Sequence, residues 1–213
     1  MKTNRLFPSF SIVSLSVFLL IGSLIVGSRT ALADAIDLAQ LKPEHYSKLK
    51  HRSVVTDKDG NSYRVHNKEW SKGLYISIKA KGKDTWKKHG AFYRYRDGKI
   101  IELTTYAFGL KQGINEVYSE KGLLKRRLLY SKDKKNGPAE EFDDKGVIFK
   151  RMTYKDSQKH GKFYIYHNEK VSFEKDYVNG DIHGKVIQYD RHGNVEGVSH
   201  YVRDKQVGKT QWR

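Results

Sequence analysis

The chain has 213 residues, with 41 lysine or arginine against 24 aspartate or glutamate, a formal net charge of +17. It contains no cysteine, which excludes disulfides, thiolate metal sites, a catalytic thiol and a lipid-modified cysteine anchor. A fold of this composition has to be held by its apolar core and its hydrogen bonds.

Lys2 and Arg5 precede the uncharged run FSIVSLSVFLLIGSLIVG (10–27), and ALADA follows, with Ala31 and Ala33 at the small-residue positions of a signal-peptidase site. Residues 1–33 read as a signal peptide cut after Ala33. An uncleaved anchor helix is the alternative, because 18 uncharged residues approach the length that spans a bilayer. Ser11, Ser14, Ser16 and Ser23 dilute the run and favour cleavage. Either reading places the rest of the chain outside the cytoplasm, periplasmic or secreted. Losing Lys2, Arg5 and Arg29 leaves 38 basic and 24 acidic residues in 34–213, a net +14. Such a surplus suits anionic lipid headgroups, envelope polymers or an acidic protein as partner.

Residues 34–85 are expected to form an N-terminal cap or degenerate repeats. LKPEHYSKLK suggests a short helix after Pro43, RSVVTDKDGNSYRV a hairpin around Gly60, and KGLYISIKAKGK a further strand. DKDGN lacks the alternating ligands and the glutamate at position 12 of a calcium loop, so a turn is expected there.

From residue 86 onward the chain repeats itself. Gly90, Gly113, Gly137, Gly161, Gly184 and Gly208 are spaced 23, 24, 24, 23 and 24 residues apart. Tyr95, Tyr118, Phe142, Tyr166 and Tyr189 each follow their glycine by five residues, and Trp212 follows Gly208 by four. A second aromatic column, Tyr106, Tyr130, Tyr154, Tyr177 and Tyr201, stands 16 or 17 residues after the glycine. Between the columns lie RDG, EKG, DKG, NEK and RHG, each followed by Ile100, Leu124, Ile148, Val171 or Val195. A fixed period in this range marks a repeat architecture. Short aromatic and β-branched runs separated by polar, glycine-bearing turns make each unit a β-hairpin. An all-β fold is therefore predicted: an elongated, single-layer antiparallel sheet of about five hairpin repeats over 86–213. The residue before the glycine is His89, Gln112, Asn136, His160, His183 or Val207 in turn. HG therefore reads as a recurring turn and not as a metal site, and no metal or cofactor is expected.

This unit, G-x4-[YF], a turn, an apolar residue, then tyrosine and a polar loop closing on glycine, resembles the bacterial variant of the MORN repeat found in the YwqK-type antitoxin family. HGKFYIYHNEKVSFEKDYVNGDIHG (160–184) is its clearest instance, with NGPAEEFDDKGVIFKRMTYKDSQKHG (136–161) close behind. The resemblance implies a hairpin-after-hairpin sheet and a binding role as antitoxin, immunity protein, scaffold or phospholipid binder, with no catalytic residue to carry over. NEK departs from the pattern by placing Glu169 where the turn glycine stands in other units, and SKDKKNG is unusually basic. Export would suit immunity against a toxin acting in the envelope.

Three basic stretches stand out: WKKHGAFYRYR (86–96), LKRRLLYSKDKK (124–135) and FKRMTYK (149–155). Arg127 and Arg151 share one repeat position, three before Tyr130 and Tyr154, and Arg126 and Lys150 share the one before it. Alternation along a strand puts these columns on both faces. Together with Lys134 and Lys135 they are the expected docking patch for a protein or an anionic surface, and export argues against nucleic acid. The tyrosines are expected chiefly as core, and a continuous aromatic surface follows if both columns share a face. No Ser-His-Asp motif, paired catalytic carboxylates or phosphate loop occurs. The chain is accordingly expected to be a non-enzymatic, exported binding module, able to self-associate through an unpaired sheet edge.

Overall fold

Tight turns and short strands build the repeats into a single antiparallel meander. The computed structural model describes residues 41–80 and 82–213, so the expected signal peptide lies outside the described residues. Fifteen strands follow in chain order: β1 Val54–Thr56, β2 Ser62–Lys68, β3 Ser71–Ala80, β4 Lys83–Arg96, β5 Lys99–Ala107, β6 Leu110–Tyr118, β7 Leu124–Ser131 and β8 Lys134–Phe142. They continue as β9 Ile148–Lys155, β10 Gln158–Lys159, β11 Gly161–His167, β12 Lys170–Val178, β13 Asp181–Tyr189, β14 Val195–Val202 and β15 Lys205–Trp212. Each pairs with the next in one open sheet, except that β10 and β11 share β9 as partner, interrupted at His160. The predicted all-β, single-layer architecture is the one observed. The N-terminal stretch joins the same sheet, and the expected boundary after residue 85 falls within β4. The only helix among the described residues is a 3-10 helix at Pro43–Lys48.

Two kinds of turn alternate. At one end of the strands the hairpins close on two residues, both left-handed: Lys132–Asp133 (φ 49° and 67°), Asp156–Ser157 (50° and 71°), Asn179–Gly180 (52° and 99°) and Arg203–Asp204 (48° and 63°). Two left-handed residues make the primed turn that matches the twist of paired strands. At the other end most loops are longer and are closed by an acceptor on their first residue. Asp143 Oδ1 accepts from the amides of Lys145 and Val147, and Asp190 Oδ1 from those of His192 and Asn194. Those amides hold the Asp190 carboxyl down at about 2. NEK needs no glycine, because Asn168–Glu169 forms a two-residue turn with φ of 49° and 62°.

The repeat glycines do not sit in these turns, which corrects the reading of HG. Gly113, Gly137, Gly161 and Gly184 lie within or at the start of strands, opposite Tyr130, Tyr154, Tyr177 and Tyr201. On their other flank the register slips, between Leu128 and Tyr130 for instance, which is a β-bulge. Gly184 shows why glycine is needed: its φ is +115°, and a Cβ would lie 2.9 Å from that of Asp176.

The bulge leaves a backbone pair that the next hairpin's turn takes up. Lys111 donates its amide to Asp133 Oδ1 (2.7 Å) and accepts from Asp133 N (3.0 Å). Lys135 pairs likewise with Ser157 (3.0 and 2.8 Å), and Ile182 with Asp204 (2.7 and 3.0 Å). Each hairpin is thereby latched to the one before it, which fixes the register between repeats as well as within them.

The core lies on both faces. Leu41, Tyr46 and Leu49, from the N-terminal segment and its 3-10 helix, cover Tyr63, Val65, Leu74, Ile76 and Tyr93. Tyr93 donates to Leu41 O at 3.2 Å, and its burial pushes its pKa up to about 12. The face bearing Tyr93 is called the capped face. Leu128, Ala139, Met152, Phe163 and Tyr177 form a second cluster on the opposite, open face. Tyr93 continues through paired residues to Leu103, Glu116, Arg127, Glu140 and Arg151, whereas Phe92 continues to Thr104, Asn115, Leu128 and Ala139. Adjacent residues thus assign the two faces.

Candidate functional site

The two aromatic columns part company at the glycine bulge and do not form one surface. Tyr118 donates to Glu116, and Tyr189 to Glu174 at 3.2 Å, on the capped face. Tyr130, Tyr154 and Tyr177 pack around the open-face cluster.

On the open face that second column alternates with lysine. Paired positions give Tyr106 with Lys111, Tyr130 with Lys135 and Tyr154 with Lys159 across adjacent strands. Each ammonium reaches forward over the next ring: Lys88 Nζ lies 4.8 Å from the Tyr106 centroid, Lys111 4.9 Å from Tyr130, Lys135 5.1 Å from Tyr154 and Lys159 5.0 Å from Tyr177. The result is a row, Lys88–Tyr106–Lys111–Tyr130–Lys135–Tyr154–Lys159–Tyr177, running across the strands. Neighbouring strands are about 4.8 Å apart, so successive lysines stand about 9.6 Å apart. All four lysines are half-buried, each with its ammonium over a ring. Burial lowers the Lys88 pKa, and the like charge of Lys111 lowers it further. Among the described residues none of the four lysines forms an ion pair. The row loses its charge beyond β12, where Ile182 and Gln206 pair with Tyr177 and Tyr201.

The six residues expected as a docking patch scatter. Arg127 and Arg151 fall on the capped face in a ladder with acids: Arg127 Nε to Glu116 Oε1 at 2.8 Å, Arg127 Nη1 to Glu140 Oε2 at 3.8 Å, and Arg151 Nη2 to Glu140 Oε1 at 3.2 Å. Glu116 is only 8% exposed, so this ladder is part of the packing. Lys150 pairs with Glu141 at 3.1 Å on the open face, and Lys134 with Asp156 at 3.3 Å beside a turn. Arg126 is exposed on the open face, and Lys135 belongs to the row. Sequence reading missed Lys88, Lys111 and Lys159. Their signal was present: with Lys135 they stand two before Gly90, Gly113, Gly161 and Gly137.

No group of residues able to hold a metal ion occurs among the described residues, and no described helix is long and apolar enough to cross a membrane. DKDGN is a turn in which Asp57 Oδ1 accepts from the amides of Asp59 and Asn61.

The chain matches no family model and no curated protein. Among solved structures it is similar to a crystal structure of TarM, at 16% identity and a TM-score of 0.34, over 50% of this chain and 21% of that one. It is also similar to a mutant of S. aureus TarM in complex with Fondaparinux, alpha-GlcNAc-glycerol and UDP, at 16% identity and a TM-score of 0.20, over 62% of this chain and 23% of that one. The chain thus spans less than a quarter of either neighbour, and at these scores the likeness carries no functional argument.

Proposed function

We propose that this chain is an exported, non-catalytic binding module of the MORN-variant type, which docks an anionic partner in the cell envelope through the open face of its sheet. The observation that carries the reading is the unpaired lysine row, set against the capped face, where Arg127 and Arg151 are matched by acids of the same sheet. Like charges in register repel one another, and an external anion relieves that repulsion where no ion pair within the sheet does. The frame suits the task, since latched hairpins hold the row at a fixed spacing.

Lysine acylation footprinting tests this on the protein as recovered from the exporting cell, with and without an envelope fraction. Lys88, Lys111, Lys135 and Lys159 should be protected by the envelope fraction, while Lys205 and Lys209 on the last strand keep their reactivity. Protection spread evenly over all lysines, or none at the row, contradicts the reading.

A further inference from the structure

We propose that the occupant of the lysine and tyrosine row is an unbranched phosphate polymer without nucleobases, lying across the strands from Lys88 to Lys159. This rests on the reading above and narrows it from an anionic partner to one chemistry and one path.

Three features of the row select that occupant. First, the row is one residue wide and linear. Four ammonium groups about 9.6 Å apart span about 29 Å from β4 to β10, which a single extended chain of charges can follow. Sheets twist by roughly 20° from strand to strand, so a row crossing seven strands winds, and a flat membrane meets only part of it. Second, the rings are already occupied. Each of Tyr106, Tyr130, Tyr154 and Tyr177 has an ammonium 4.8–5.1 Å from its centroid. Nucleic-acid bases bind single-strand readers by stacking on open aromatic faces, and an ammonium over the ring denies them that face, leaving the backbone charge as the part the row can hold. Third, the cations are all lysine. Arginine's planar fork grips carboxylate or phosphate two bonds at a time, and on the capped face Arg127 and Arg151 are already engaged by Glu116 and Glu140, each through one close contact. Lysine offers a compact point charge with three donors, which serves tetrahedral phosphate oxygens without requiring a planar partner.

The ring beneath each ammonium sharpens the site. It offsets part of the cost of holding a half-buried cation and fixes where that cation stands. The latch from the following turn does the same for the backbone, clamping Lys111 through Asp133 and Lys135 through Ser157. The spacing is therefore set before the ligand arrives.

The test is calorimetric titration of the recovered protein with inorganic polyphosphate of graded length, with orthophosphate, with a thymidine oligonucleotide of matched charge, and with phosphatidylglycerol vesicles. Affinity should rise with polyphosphate length until the chain spans about 29 Å and then level off, while orthophosphate shows no measurable binding. With four contacts, log affinity should fall with log salt at a slope of about −3, and the double substitution K111Q/K135Q should halve that slope. Equal affinity for long and short chains, or an oligonucleotide bound more tightly than polyphosphate, overturns the inference. Vesicles that bind while polyphosphate does not also overturn it, yet leave the anionic-partner reading standing. Absence of binding to every one of these anions overturns it too, and leaves the anionic-partner reading to the envelope footprint.

Discussion

Each face of this sheet carries a row of cations across its strands, and the fold treats the two rows in opposite ways. On the capped face Glu116, Arg127, Glu140 and Arg151 alternate across four consecutive strands, and each acid meets an arginine. On the open face the row from Lys88 to Lys159 alternates with tyrosine, and each cation meets a ring that carries no net charge. One arrangement is neutralised from within, whereas the other leaves its charge to an outside partner. The count of basic residues is thus a poor guide to a binding surface; what decides is whether the residue paired across the strand is an acid.

The comparison can be broken by removing one member of each row. Glu116 is nearly buried and accepts from both Arg127 and Tyr118. E116Q should lower unfolding free energy by roughly 1–3 kcal/mol, since it leaves the partly buried Arg127 with only its longer contact to Glu140. K135Q removes a charge that no acid of the sheet needs, and should change stability by less than about 0.5 kcal/mol. Denaturant unfolding of the two variants measures the difference, and equal losses would mean that the lysines are as structural as the arginines.

A smaller effect probes the row itself. Burial and the like charge of Lys111 hold the Lys88 pKa below the ordinary lysine value. K111Q removes the second cause and keeps the first, so the Lys88 pKa should rise part of the way back. An NMR titration of the Lys88 side chain reads the shift. An unchanged value would show that the lysines do not sense one another along the row.

Much of the fold is legible in the sequence because the period is strict. Glycines 23 or 24 residues apart, with aromatics at fixed offsets, fix the hairpins, their antiparallel order and the positions of most turns. The faces are not legible in the same way. Between Gly113 and Tyr130 the chain passes a bulge and a loop, each of which can reverse the alternation, so the offset in sequence does not say that Tyr118 and Tyr130 end on opposite sides. The charge pattern hides for a related reason. Arg126 and Arg127 look like one cluster, but they point to different faces, and the partners of Arg127 lie 11 residues before it and 13 after it. The lysine row appears only when the repeats are aligned on their glycines, where Lys88, Lys111, Lys135 and Lys159 fall in one column beside the more conspicuous histidines.

Two double variants with the same change in net charge, K111Q/K135Q on the open face and R127Q/R151Q on the capped face, test the central claim most directly. Each is assayed for thermal unfolding and, below its melting temperature, for the salt concentration that releases it from an envelope fraction. The account predicts that K111Q/K135Q melts like the parent and is released at markedly lower salt. R127Q/R151Q should melt several degrees lower and be released at the parent's salt. A row variant that unfolds early but binds normally, or a ladder variant that stays stable but lets go of the envelope, would contradict the assignment of docking to the open face.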